Sequence, residues 1–180
     1  MGGGGEDATR QDTAIVAVRS SDLPALLALN NAHAAELSLL DADGFARLIA
    51  SAAHARQSAD ASAFVVAFDE RADYGSVNYL WFKTRYERFL YVDRAVVAPS
   101  ARGRELAHAL YDTVFAVADS LQSGPVVCEI NVEPPNLASQ RFHEACGFRA
   151  VGGAALPGGR KMVAYYEHTR SRMADRRPES

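Results

Sequence analysis

Val96-Val97-Ala98-Pro99-Ser100-Ala101-Arg102-Gly103-Arg104-Glu105-Leu106-Ala107 reads as a strand that stops at a proline, a loop of small and basic residues, and the opening of a helix. Residues 89–97 are aromatic and β-branched, which suits a pleated, buried surface. Pro99 ends that strand because proline cannot donate to a sheet ladder. Downstream, Leu106, Leu110, Val114, Val117 and Leu121 recur at steps of four, four, three and four, so residues 103–122 form a helix with one apolar face. Gly124 and Pro125 stop it. A helix start carries unpaired N–H groups and the positive end of a dipole, so this junction reads as a site for phosphate, with Arg102 and Arg104 adding charge; the alternative is an ordinary strand-to-helix turn whose arginines are solvated.

On either side the apolar period switches repeatedly between two and about three and a half, the mark of mixed α and β structure. Residues 14–19 read as a first strand. Asp22 caps a helix with Pro24 in its first turn and Leu26, Leu29, His33 and Leu37 at helical spacing, and a second helix covers 42–53. Residues 63–68 form a short apolar strand, preceded by a weaker one over 55–58. Residues 126–132 form another strand, Pro134-Pro135 break the chain, and Asn136 caps a helix that ends at Gly147. Two last strands, 148–152 and 160–168, make a hairpin across Gly158-Gly159. One α/β domain over 14–168 is expected. Residues 1–13, with four consecutive glycines, are expected to be disordered, and 169–180 to form a flexible tail.

The bulk numbers exclude several classes of function. A hydrophobic fraction of 48%, a charged fraction of 23% and a length of 180 residues describe a soluble globular domain. With a net charge of −3 there is no basic field for nucleic acid. No apolar run is long enough to span a membrane, and no signal peptide is recognised. Cys128 and Cys146 lack a zinc-ligand spacing, so a cytoplasmic location, free thiols and no metal are expected. The oligomeric state stays open, a homodimer included.

A second stretch, residues 131–148, runs from a strand through two prolines to an Asn-capped helix and Cys146-Gly147-Phe148. The two stretches in this order resemble the GNAT superfamily of N-acetyltransferases. The cofactor loop of that superfamily reads Arg or Gln, any, any, Gly, any, Gly or Ala, and Arg102 and Ala107 match its first and last positions. Asn136, Phe142, Gly147 and Phe148 match its later helix. The resemblance implies a mixed, mostly antiparallel sheet flanked by helices, and acetyl-CoA as cosubstrate with no metal. It implies that the pantetheine arm runs along Val96, Val97 and Ala98 between two splayed parallel strands. The pyrophosphate would lie on Arg102, Gly103, Arg104, Glu105, Leu106 and Ala107, with Asn136 and Ser139 from the later helix. Two positions depart from the pattern. Glu105 stands where the loop usually has Gly, which would set a carboxylate near the pyrophosphate, and His143 stands where many members have a Tyr that protonates the departing thiolate. Histidine can supply that proton; the alternative is a surface histidine.

The reaction so implied is direct attack of a primary amine on the thioester, and an attacking amine must lose a proton. Asp93 and Glu129, which interrupt the two apolar strands, are the candidate bases. The alternative is that each is simply paired, Asp93 with Arg94 or another arginine and Glu129 with a neighbouring strand. Asn131 shares the face of Glu129. Residues 69–88 are long for a connection and carry Tyr79 and Trp81, which read either as a substrate lid or as cover for a sheet edge. Asn30 and Glu36 of the opening helix are further pocket candidates. The expected acceptor is a small molecule or amino-acid-like metabolite. A non-catalytic acyl-CoA sensor and a protein lysine or N-terminal acetyltransferase are the alternatives.

Overall fold

Residues 14–158 and 161–169 are described by a computed structural model; the expected disordered segment 1–13 and all but the first residue of the expected tail lie outside them. The strands are β1 (Ile15–Ala17), β2 (His54–Ser58), β3 (Ala63–Asp69), β4 (Leu90–Val97), β5 (Val126–Glu133), β6 (Arg149–Ala155) and β7 (Met162–His168). The helices are α1 (Leu23–Ala32), α2 (Ala42–Ser51), α3 (Val77–Lys83), α4 (Leu106–Leu121) and α5 (Leu137–Ala145). The strands form one sheet in the order β1-β2-β3-β4-β5-β7-β6, antiparallel throughout except for the parallel pair β4 and β5. This is the mixed, mostly antiparallel sheet the sequence led us to expect.

Alternation along β3 sends Val65 and Ala67 to a core under α4, and Phe64, Val66 and Phe68 to a second core under α1, α2 and α3. β3 is therefore apolar at successive positions and buried along its whole length. Burying each of its two Phe side chains contributes about 1.5–3 kcal/mol. Local caps set the helix starts. Asp41 Oδ1 accepts from Gly44 N at 2.7 Å, and Asn136 Oδ1 accepts from Ser139 N at 3.1 Å.

Two elements differ from expectation. α1 stops at Ala32 instead of running on through His33 and Leu37. Asn31 takes over the backbone pairing there, donating to Leu40 O at 2.9 Å and accepting from Leu40 N at 3.1 Å, so residues 33–40 fold back as a strap. α4 starts at Leu106, not Gly103, because Gly103 and Glu105 both have positive φ, 79° and 56°.

One irregularity opens the molecule. Val66 pairs with Arg94 and Ala67 with Val92, so Asp93 is an extra residue, a β-bulge in β4. On its other side β4 pairs with β5 only at Leu90↔Val126 and Tyr91↔Val127. Beyond these pairs the strands part, and a cleft opens between them.

Candidate active site

The cleft forms a cavity of about 680 Å³. Its wall includes Val96 and Val97 from β4, Glu129 and Asn131 from β5, Arg102 and Ala107 from the loop and α4, and Asn136, Ser139 and His143 from the α5 region. Asp93 and Glu36 also line it. Residues from both motif stretches and from both splayed strands therefore meet in one space.

Asp93 and Glu129 have unlike surroundings. Asp93 Oδ2 accepts from Arg94 Nε at 2.6 Å and Oδ1 from the Tyr74 hydroxyl at 2.6 Å, so both its oxygens are engaged. Asp93 and Arg94 keep only 6% and 3% of their side-chain surface exposed. Glu129 Oε1 accepts from Asn78 Nδ2 at 2.9 Å, whereas Oε2 is shielded and has no hydrogen-bond partner among the described residues. Burial pushes the Glu129 carboxyl up to about 7, and the negative charge of Asp93 adds to the rise. The Tyr91 hydroxyl and the Asn78 amide favour the ionised form and offset part of it. Tyr91 acts by proximity alone, since its hydroxyl makes no bond of hydrogen-bonding geometry among the described residues.

His143 is buried, with Nδ1 2.7 Å from Ser139 O and Nε2 2.6 Å from the Tyr111 hydroxyl. A carbonyl only accepts, so Nδ1 carries the proton and Nε2 accepts from Tyr111. Burial lowers the pKa of the ring, against a smaller opposing effect of Ser139 O, so the neutral imidazole is favoured. The imidazolium expected for an acid is disfavoured at this position.

The cofactor-loop candidates divide. Arg104 Nη1 donates to Asp60 Oδ2 at 2.8 Å, which ties the loop to the β2–β3 turn. Gly103 has open space around the position of a Cβ. Leu106 is a core residue under α4, and Ala98 packs against that core. Glu105 occupies a left-handed conformation at the helix N-cap, and its carboxylate is 79% exposed, 3.7 Å from His108 Nε2. The expected carboxylate beside the pyrophosphate thus points outward. The conformation explains why the pattern has Gly here: a non-Gly residue in this region costs on the order of 1–2 kcal/mol. Glu105→Gly is expected to stabilise the protein by about 1 kcal/mol, seen as a rise in melting temperature of about 2–4 °C.

Several acceptor-side candidates lie elsewhere. Asn30 is fully buried and accepts from Arg94 Nη1 at 2.6 Å, so it anchors the guanidinium. Tyr79 is a core residue whose hydroxyl donates to Asp69 O and Ala72 O. Trp81 stacks on Tyr165 with ring centroids 4.2 Å apart, so it covers the sheet and does not close a lid. Asn78 and Tyr111 were missed, and Tyr74 was read only as one of the aromatic residues of the 69–88 connection. Asn78 was legible only as one polar residue on a short aromatic helix, and Tyr111 sits one position past the apolar stripe of α4.

The strap lines one end of the cleft. Lys161 Nζ donates to Ala35 O at 2.6 Å and Asn131 Nδ2 to Glu36 O at 3.5 Å, so residues 35 and 36 are tied to β5 and to the start of β7.

The model of the acetyltransferase (GNAT) family matches residues 29–148, two-thirds of the chain and both motif stretches. The chain belongs to the GNAT acetyltransferase family. It is accordingly an acetyl-CoA-dependent N-acetyltransferase at the level of that family. Among solved structures, the ribosomal-protein-S18-alanine N-acetyltransferase from Escherichia coli superposes with a TM-score of 0.63 at 14% identity, covering 91% of this chain and 97% of that one. NAA60 of Arabidopsis thaliana, solved with acetyl-CoA, gives 0.67 at 14% identity over 87% and 97%. An N-acetyltransferase from Staphylococcus aureus Mu50 gives 0.64 at 16% identity over 87% and 97%. At these identities the likeness is one of fold. Among curated proteins none matches by sequence. Among the described residues of this GNAT domain there is no cluster of metal-ligating side chains, and no helix is long and apolar enough to cross a membrane.

Proposed function

We propose that this chain transfers the acetyl group of acetyl-CoA to the primary amine of a small molecule by direct attack, with Glu129 as the base. The observation that carries the reading is the place of Glu129. It stands where β4 and β5 part, with one oxygen bound by Asn78, the other shielded and without a partner among the described residues, and a carboxyl that burial pushes up to about 7. Asp93, saturated by Arg94 and Tyr74, organises this wall and keeps Glu129 basic. An ammonium gives one proton to the Glu129 carboxylate, and its nitrogen then attacks the thioester carbon. Its second proton leaves with sulfur as the free thiol, and the third stays on the amide.

The residues present suit acetyl-CoA. The edge of β4 left free by β5 can receive the pantetheine along Val96, Val97 and Ala98. Gly103, Glu105, Leu106 and Ala107 form the turn into α4, where the first N–H groups of a helix attract phosphate; Arg102, Asn136 and Ser139 line the same space. For His143 we assign a supporting part: its neutral ring orders Tyr111 in the cavity wall. The tied strap favours a small acceptor over a peptide, which would need an open groove.

Release of free thiol from acetyl-CoA, followed across a panel of small amines and amino acids, tests the reading. Acetyl-CoA at a hundred times its dissociation constant is also expected to add about 2.7 kcal/mol of stability. Turnover with at least one small amine supports the proposal. Stabilisation without turnover on any amine would point to an acyl-CoA sensor, and turnover on peptide N-termini alone to a protein-modifying enzyme.

A further inference from the structure

Of the two readings of residues 69–88, a lid or cover for the sheet, α3 takes the second: its aromatic residues face the sheet, and that placement gives them a use. Asn78, Trp81 and Phe82 stand at i, i+3 and i+4, one face of a helix. Trp81 stacks on Tyr165 at 4.2 Å and Phe82 meets the same ring edge-on at 5.2 Å. Gly152 makes room for the indole, because a Cβ there would lie 2.6 Å from Trp81 Cζ2. Tyr165 is the β7 partner of Glu129 across the sheet. Its hydroxyl, clamped in this way, donates to Asn78 Oδ1 at 3.1 Å, while Asn78 Nδ2 donates to Glu129 Oε1 at 2.9 Å. A phenol donating to one end of the amide and a carboxylate accepting at the other fix which way the amide points.

We propose that Asn78 is a positioning residue for the base: Tyr165 and the aromatic face of α3 hold its amide so that Oε1 of Glu129 is bound and the carboxylate is fixed in one orientation beside the cleft. This rests on the assignment of Glu129 as the base. The effect is more than steric, since a donor to a buried carboxylate stabilises the ionised form that accepts the proton. The other titratable or charged groups facing Glu129 are Tyr91 and Asp93 of β4, the latter bound to Arg94, Tyr165 of β7, Tyr111 of α4 and Cys128 beside it. Replacing Asn78 leaves all of these in place.

The test reads Glu129 directly in the full chain without any acceptor. Protein carrying 13C at the glutamate side-chain carboxyl is titrated by NMR, and the Glu129 resonance is assigned by its loss in Glu129→Gln. Wild type is expected to titrate near pH 7. Asn78→Ala removes the donor, so its midpoint is expected to rise by about one to two pH units, the worth of a hydrogen bond to a charged group. Tyr165→Phe keeps the ring and its stack on Trp81 but frees the amide to turn, so a smaller rise in the same direction is expected. This variant also keeps the test usable if Asn78→Ala does not fold. Midpoints in the folded variants within about 0.3 units of wild type, well below the worth of a hydrogen bond, would overturn the proposal. Shifted midpoints in a protein that acetylates no amine would leave Asn78 in its role and remove only the assigned reaction. Unshifted midpoints in an active enzyme would do the reverse.

Discussion

Glu129→Gln is expected to lower kcat/KM for the best small amine by about 10²- to 10⁴-fold while leaving acetyl-CoA affinity nearly unchanged, the range typical of losing a positioned base. The residue stands at the parting of β4 and β5, so its removal is expected to touch proton transfer and to leave the loop from Arg102 to Ala107 as it is. The same substitution should not weaken the fold at neutral pH. The Glu129 pKa of about 7 lies above its ordinary 4.5, so the folded protein holds the extra proton between these values. The stabilising contribution of this group is therefore complete below about pH 4.5 and is lost as pH rises through about 7. At pH 8 Gln removes a buried charge, and the variant is expected to melt no lower than wild type. Stopped-assay kinetics and a melting curve on one preparation check both statements.

Asp93→Ala is expected to do the opposite, acting on the fold first. Arg94 is almost wholly buried, and Asp93 is its charge partner at 2.6 Å; Asn30 offers Arg94 only a neutral oxygen. Removing one member of a buried pair leaves an uncompensated charge and costs about 3–5 kcal/mol. For a domain of this size that is a fall of about 6–20 °C in melting temperature. Asp93→Ala with double substitution of Arg94 by Met should recover part of the loss, because no buried cation then remains. A melting temperature for Asp93→Ala equal to that of wild type would show that Arg94 finds another anion or water.

What was legible in the sequence was what local chemistry decides. The strand up to Val97, the stop at Pro99, the stripe of α4 and the Asn136 cap are signals written within a few residues of where they act. The site residues that depend on distant partners were not legible in the same way. Asn30 looked like a pocket group because its bond to Arg94 spans 64 positions of sequence. Trp81 and Tyr79 could be read as a lid or as cover for the sheet because a seven-residue helix of mixed polarity does not announce which side meets the sheet. The bulge at Asp93 follows from the register against β3, a pairing no single strand encodes. Glu105 was noticed as an exception to a pattern, yet its left-handed backbone, which gives the exception its cost, appears only in the folded chain.

The most direct test of the account is the pH dependence of kcat/KM for wild type and Glu129→Gln with one small amine under subsaturating conditions. The base must be ionised to accept a proton, so the wild-type rate is expected to rise with pH through a midpoint near 7 and then level off. The Gln variant should lack that inflection and retain only the rise set by the amine's own ionisation. An inflection near 7 that persists unchanged in Glu129→Gln would contradict the assignment, because the titrating group would then be something other than Glu129.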